Sequence, residues 1–265
     1  MQCRSVATCL IILSLALLTG AASLPAQNLT GVKAIAASGG TSFALLSDGT
    51  VWYWGEDDSW EEVLGGGQTT PLRWGNLTDV VAFSPPLALK SDGTVWAYPY
   101  GPDSAPVRVN GLTGAVALAG GWTSLALKSD GTVWEWYGTL AFGVPSTPVP
   151  VSGLTEVLAI ARLYRDSLAV KRDGTVWTRG DNQDGSLGDG LTNPASTVYG
   201  PDLSTPAQVT GLTDIVAVAE GGGHSLALKR DGTVWAWGQN IYGQLGVRTF
   251  VIRTTPVQVV APSTQ

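Results

Sequence analysis

One alternation of apolar and polar positions recurs along the chain. It is clearest at Ser225-Leu-Ala-Leu-Lys-Arg-Asp-Gly-Thr-Val-Trp-Ala-Trp-Gly238, where Leu226 and Leu228 alternate before Asp231-Gly232 and Val234 follows it. A period of two interrupted by Asp-Gly predicts a β-hairpin. The dipeptide suits a primed tight turn, whose positive φ Gly and Asp tolerate. Further copies place Asp-Gly at 48–49, 92–93, 130–131 and 173–174, each followed by Thr-Val-Trp. Five hairpins of one design predict a repeat architecture.

Each hairpin follows a short apolar run: Val32–Ala37, Val80–Phe83, Ala115–Ala119, Val157–Ala161 and Ile215–Ala219. These runs carry no charge apart from Lys33, so each reads as a buried strand. Their alternating Ala residues let strands crowd towards a common axis. A Leu-Thr lead-in follows Asn28, Asn76, Gly111, Gly153 and Gly211. Asn28 and Asn76 therefore form glycosylation sequons, but Asn in place of Gly reads better as a turn residue at positive φ. The hairpin Trp residues are 52, 96, 134, 177 and 235, and a second aromatic stands two positions on at Trp54, Tyr98, Trp136 and Trp237, with Arg179 in the fourth unit. Such pairs share a sheet face and read as core rather than ligand site. Each unit closes with a Pro-bearing run beginning at Pro71, Pro106, Pro148, Pro206 or Pro256. Proline cannot donate a ladder hydrogen bond, so these runs belong on an edge. The expected fold is all-β, a β-propeller of four-stranded antiparallel blades. Its five repeats span approximately 31–75, 76–110, 111–152, 153–210 and 211–262.

Composition agrees: 34 Gly, 11 Trp and only 14% charged residues favour β structure. A net charge of −6 with no basic run argues against nucleic acid, whose binding rests on neutralising phosphates. The N-terminus is distinct. Arg4 precedes a nearly continuous apolar run from Val6 to Leu18, and small residues follow to Ala26. This predicts a signal peptide over 1–26, cleaved between Ala22 and Gln27, and a secreted or periplasmic/cell-envelope protein with one domain over 27–265. The run is short for a membrane span, and no amphipathic stretch predicts membrane contact after cleavage. Cys3 and Cys9 both fall in the signal, so the mature chain is expected to have no disulfide and no cysteine metal site.

Val216-Ala-Val-Ala-Glu-Gly-Gly-Gly-His224 through Asp231-Gly-Thr-Val-Trp-Ala-Trp237 to Gly-Gln-Asn240-Ile-Tyr-Gly243-Gln-Leu-Gly246 resembles a repeat of the regulator of chromosome condensation family, a β-propeller family. The fourth unit keeps Gly180-Asp-Asn182-Gln-Asp-Gly185-Ser-Leu-Gly188, while the first three keep the hairpin and lose that tail. The resemblance covers essentially the whole mature chain. The family's usual ring has seven blades. Five units complete at both ends favour a closed five-bladed ring here over an open or partner-completed arc. GTPase exchange and chromatin binding, the work of the family's eukaryotic namesake, are not expected: the likeness is to the repeat frame and not to a site.

No catalytic residue, cofactor or metal is assigned from the sequence. His224, the only His, occupies a repeat position filled elsewhere by Thr41, Thr123, Asp166 and Pro85, and no nucleophile–base set assembles around it. Asp181-Asn-Gln-Asp184-Gly-Ser-Leu-Gly-Asp189 is rich in oxygen ligands but lacks the alternating order of a calcium loop, and reads as a turn. The loops after the inner strands vary while their flanks repeat, which is where a rigid frame carries binding. They nominate Trp122, Tyr164 and Arg165, with His224, as candidate partner-binding residues. The resulting reading is a secreted, non-enzymatic scaffold that binds a protein of unknown identity through one rim. The alternatives are an inhibitor of a secreted hydrolase, an enzyme at the channel mouth using Asp166 or Asp181, and a lectin-like binder stacking sugars on Trp122 and Tyr164.

Overall fold

The computed structural model describes residues 28–38, 40–55, 68–98, 105–120, 123–137, 145–163, 166–192 and 205–260. Their strands form five separate four-stranded antiparallel sheets, and among the described residues there is no helix. Blade one comprises β1 (Val32–Ser38), β2 (Thr41–Leu46), β3 (Val51–Gly55) and β4 (Gln68–Arg73). Blade two comprises β5 (Val80–Ser84), β6 (Leu87–Lys90), β7 (Val95–Ala97) and β8 (Val107–Arg108). Blade three holds β9 (Ala115–Ala119), β10 (Thr123–Lys128), β11 (Val133–Tyr137) and β12 (Val149–Pro150). Blade four holds β13 (Val157–Leu163), β14 (Asp166–Lys171), β15 (Val176–Arg179) and β16 (Ala207–Gln208). Blade five holds β17 (Ile215–Gly221), β18 (His224–Lys229), β19 (Val234–Gly238) and β20 (Arg253–Gln258). Strand order follows the sequence in every sheet, so each Pro-bearing strand pairs with the third strand of its own repeat and forms the outer edge.

The hairpin turn differs from the primed two-residue form. Leu46 N donates to Thr50 O (2.9 Å) and Gly49 N to Leu46 O (3.1 Å), so the loop is Ser47-Asp48-Gly49 and only the glycine takes positive φ (78°). This is a type I turn followed by a glycine bulge. The reason lies in the Asp, whose side chain works best from an ordinary φ. Asp48 Oδ1 accepts the Thr50 amide (2.9 Å) and the Thr50 hydroxyl (2.7 Å), and that hydroxyl accepts Trp52 Nε1 (3.1 Å). The same Asp-to-Thr-to-Trp relay recurs at Asp92, Asp130, Asp173 and Asp231. Hydrogen bonds from the Thr hold all five carboxyls below the usual carboxylate range.

The inner strands are not buried throughout, as their composition suggests. Each carries a β-bulge after its first residue, seen as a register shift in all five inner pairs. A bulge turns one side chain out of the pleat. Val81, Val116, Leu158 and Val216 stand at that position and are exposed.

Four apolar clusters of one design join consecutive blades. Forward-facing residues of strands two and three meet the strand ends and lead-in of the next repeat. Leu168, Val170 and Val176 of blade four, with Val209 at the end of its outer strand, pack on Leu212, Ile215 and Trp237 of the next repeat. Leu125, Leu127 and Val133 pack likewise on Val151, Leu154 and Val157. Leu87, Leu89 and Val95 meet Val109, Leu112 and Trp136, and Phe43, Leu45 and Val51 meet Trp74, Val80 and Tyr98. Burying one large aromatic removes roughly 150–250 Å² from water, about 4–6 kcal/mol before ordering costs. A hydrogen bond closes each seam at the turn. Val80 N donates to Gly49 O (3.1 Å), Ala115 N to Gly93 O (3.4 Å), Val157 N to Gly131 O (3.0 Å) and Ile215 N to Gly174 O (3.0 Å). Closure of the ring is not shown: no cluster among the described residues joins blade five to blade one.

Two seams carry distinctive side chains. Tyr98 stacks on Trp74 with ring centroids 4.4 Å apart, its hydroxyl donates to Trp74 O (3.3 Å), and burial pushes its pKa up to about 12. Arg179 of β15, standing where other blades have an aromatic, places Nη1 3.0 Å from Glu135 Oε2 of β11, with both side chains buried. Removing one member of a buried ion pair strands the other charge. Arg179→Met is therefore expected to cost about 3–5 kcal/mol in urea unfolding. Combining Glu135→Ala with Arg179→Trp should recover most of that loss by restoring an apolar seam; a double variant no more stable than Arg179→Met would refute this account.

Candidate functional site

In a meander of four antiparallel strands, the first and third connections leave by one edge and the second by the other. The Asp-Gly turns thus gather on one rim, together with the crossings between blades. The variable loops gather on the opposite rim. Of the four residues the sequence nominates there, Trp122, Tyr164 and Arg165 lie outside the described residues.

His224 opens β18 and is half-buried. Its ladder partner is Gly221, and a Cβ there would overlap the imidazole, so the ring lies over a position that only glycine leaves open. Burial lowers the His224 pKa below its ordinary value, so the ring is neutral at pH 7. Its Nδ1 is buried with no hydrogen-bond partner among the described residues.

Beside it, the connection after β15 bridges blades four and five. Asp166, at the start of β14, accepts the Asp181 amide at Oδ1 (2.7 Å) and the Ser186 hydroxyl at Oδ2. Ser186 O in turn accepts Trp237 Nε1 (2.7 Å) and Ser225 Oγ (3.0 Å) from blade five. Asp184 Oδ2 accepts Gln239 Nε2 (3.2 Å), and Gln239 Oε1 accepts Gln244 Nε2 (3.3 Å). Desolvation raises the Asp166 pKa, and the hydrogen bonds to its carboxylate only partly offset it. Asp189 Oδ1 accepts Asn182 Nδ2 (3.1 Å) and Leu191 N (2.9 Å). The acidic stretch from Asp181 to Asp189 thus engages separate partners, and Asp166 anchors a loop across a seam.

The Asn-to-Gly tail owes its shape to one amide. Asn240 Nδ2 donates to Thr249 O (2.7 Å) and Val251 O (3.1 Å), and its Oδ1 accepts Leu245 N (3.0 Å). Asn182 does the same with Leu191 O (3.3 Å) and Leu187 N (3.2 Å). The blade-five loop so fixed holds Tyr242 at 82% and Phe250 at 72% exposure, flanked by exposed Ile241 and Val251. The sequence nominates the loops after the inner strands and the long excursion from Asp181 to Ser204 as contact loops, and not this patch. A signal was present: Ile241-Tyr242 and Phe250-Val251-Ile252 are apolar residues within a connection that no strand alternation claims.

Models of the regulator of chromosome condensation (RCC1) repeat match residues 173–228 and 231–265, and 215–244. The mitochondrial RCC1 domain-containing protein RUG3 of Arabidopsis thaliana is 28% identical over 247 residues, covering 86% of this chain and 47% of that protein. The probable E3 ubiquitin-protein ligase HERC3 of Homo sapiens is 38% identical over 100 residues, covering 37% of this chain and 9% of that protein. Among solved structures, Prp20p of Saccharomyces cerevisiae, described with its binding properties to Gsp1p and histones, matches with a TM-score of 0.71 at 20% identity. That match covers 88% of this chain and 64% of Prp20p, and shows the fold. The chain therefore spans about half the length of the Arabidopsis relative and far less of the ligase.

Asp166 gives this rim a pH signature. Its folded pKa lies above the unfolded value of about 3.9, so its stabilising contribution is present below that pH and is lost as pH rises through the folded pKa. Measured by thermal unfolding, the stability of Asp166→Asn relative to wild type should rise as the pH is raised above about 4. Parallel curves for the two proteins would show that Asp166 is not held protonated by its surroundings.

Proposed function

This chain is an RCC1-repeat propeller, and from that premise we propose that it is a non-enzymatic scaffold whose loop-bearing rim engages another protein. The observation that carries the reading is the exposed patch of Ile241, Tyr242, Phe250 and Val251 on a loop stapled by Asn240. Large aromatics held rigid at a surface lose little entropy on binding and fit protein contacts. Asp166 and Asp184 hold the connection after β15 at the seam of blades four and five, which favours binding over chemistry there. The binding of Gsp1p and histones by Prp20p is a precedent for protein contacts on this fold. The acidic net charge of this chain does not suit nucleic acid. Export is part of the proposal and rests on residues 1–26 alone.

The test uses tethered protein beginning at Asn28, incubated with native culture and envelope extract. Beside it run Tyr242→Ser with Phe250→Ser on the rim, and Val149→Ser on an outer strand as control. A bound protein should survive the control and weaken roughly 30-fold or more in the rim variant, the size of a two-residue hot spot. Equal retention by all three removes this patch as the contact. In the native host, the intact mass should correspond to cleavage between Ala22 and Gln27; an uncleaved N-terminus would refute export by this signal.

A further inference from the structure

The seam between blades is a two-sided device, and both sides occur unmatched on this chain. The forward side stands on blade five. Leu228 and Val234 are 38% and 37% exposed, whereas Val170 and Val176 at the same positions in blade four are 2% and 0% exposed. Its turn glycine is open as well. A Cβ on Gly49, Gly93, Gly131 or Gly174 would press on the backbone of the next blade, while nothing lies within 4 Å of one on Gly232. The receiving side stands on blade one. Val32 is 42% exposed, against 3% for both Val157 and Ile215. Leu29 and Trp54 are half-exposed where Leu212 and Trp237 of blade five are fully buried.

We propose that the forward face of blade five docks the receiving face of blade one in a second copy of this chain, so that copies associate head to tail. The argument is continuity with an interface the molecule already builds. Every forward face inside the chain is covered by the same residue set, a lead-in Leu, the first residue of the inner strand and, in three of the four seams, the second aromatic of strand three. Blade one displays that set as Leu29, Val32 and Trp54. Gly232 O and Val32 N stand at the repeat positions of Gly174 O and Ile215 N, the pair that closes the seam between blades four and five. Such a contact is heterologous, so copies add without a two-fold limit. A ring closed within one chain would use the same two faces and is the competing outcome.

The test needs only the purified chain from Asn28, and so is independent of any rim partner. Light scattering across a concentration series should show the wild-type mass rising with concentration. Leu228→Glu removes the forward face and Val32→Glu the receiving face; both positions are exposed, so the four internal seams stay intact. Each variant alone should remain monomeric, and their equimolar mixture should form a one-to-one dimer and nothing larger, because it restores one seam. Should Leu228→Glu melt below wild type, Val234→Lys takes its place. A wild type monomeric throughout, as intramolecular closure requires, single variants that assemble like wild type, or a mixture that stays monomeric would each overturn the proposal.

Discussion

The structure depends on burying the forward apolar face of each blade beneath the next. A single four-stranded sheet has two faces and no partner of its own, so it has no core until a neighbour covers it. Each cluster draws its residues from two repeats, and the hydrogen bond at the turn glycine fixes how closely the two approach. The glycine is required twice over: it takes the positive φ of the turn, and its missing side chain lets the next blade sit against it.

This constraint separates the two rims. The Asp-Gly-Thr-Val-Trp phrase belongs to the seam rim, where its hydrogen-bond relay locks the turn that the next blade touches, and where sequence variation would disturb packing. The opposite rim carries connections whose length and composition differ from blade to blade. Blades four and five use theirs in two ways. One side of the loop reaches inward to hold a seam, as Ser186 does with Trp237 and Ser225. The other side points outward, as Tyr242 and Phe250 do. A scaffold of this kind acquires binding surface without altering its core.

Repetition also tolerates local exchange when both partners change. The pocket that receives Trp136 in one seam and Trp237 in another receives an Arg179–Glu135 ion pair between blades three and four. Arg179 shows in the sequence as a break in the aromatic pattern. Its partner does not, because Glu135 lies on the preceding repeat, and only the packing of one sheet on another brings them within 3.0 Å.

The sequence by itself determined the repeat, the hairpins, the outer Pro-bearing strands and the number of blades, since each follows from local backbone chemistry: the period of two, the turn glycine and the missing proline donor. The turn type was partly legible. Asp-Gly marks the place, but the Thr that follows decides that the Asp side chain caps the loop and leaves positive φ to the glycine alone. Only the tertiary structure decided which residues face forward, where the bulges turn valines outward, and which carboxylates hold seams. Those outcomes depend on what lies across the gap between sheets, and among the described residues Val32 on blade one and Leu228 and Val234 on blade five stay exposed where their counterparts in the internal seams are buried.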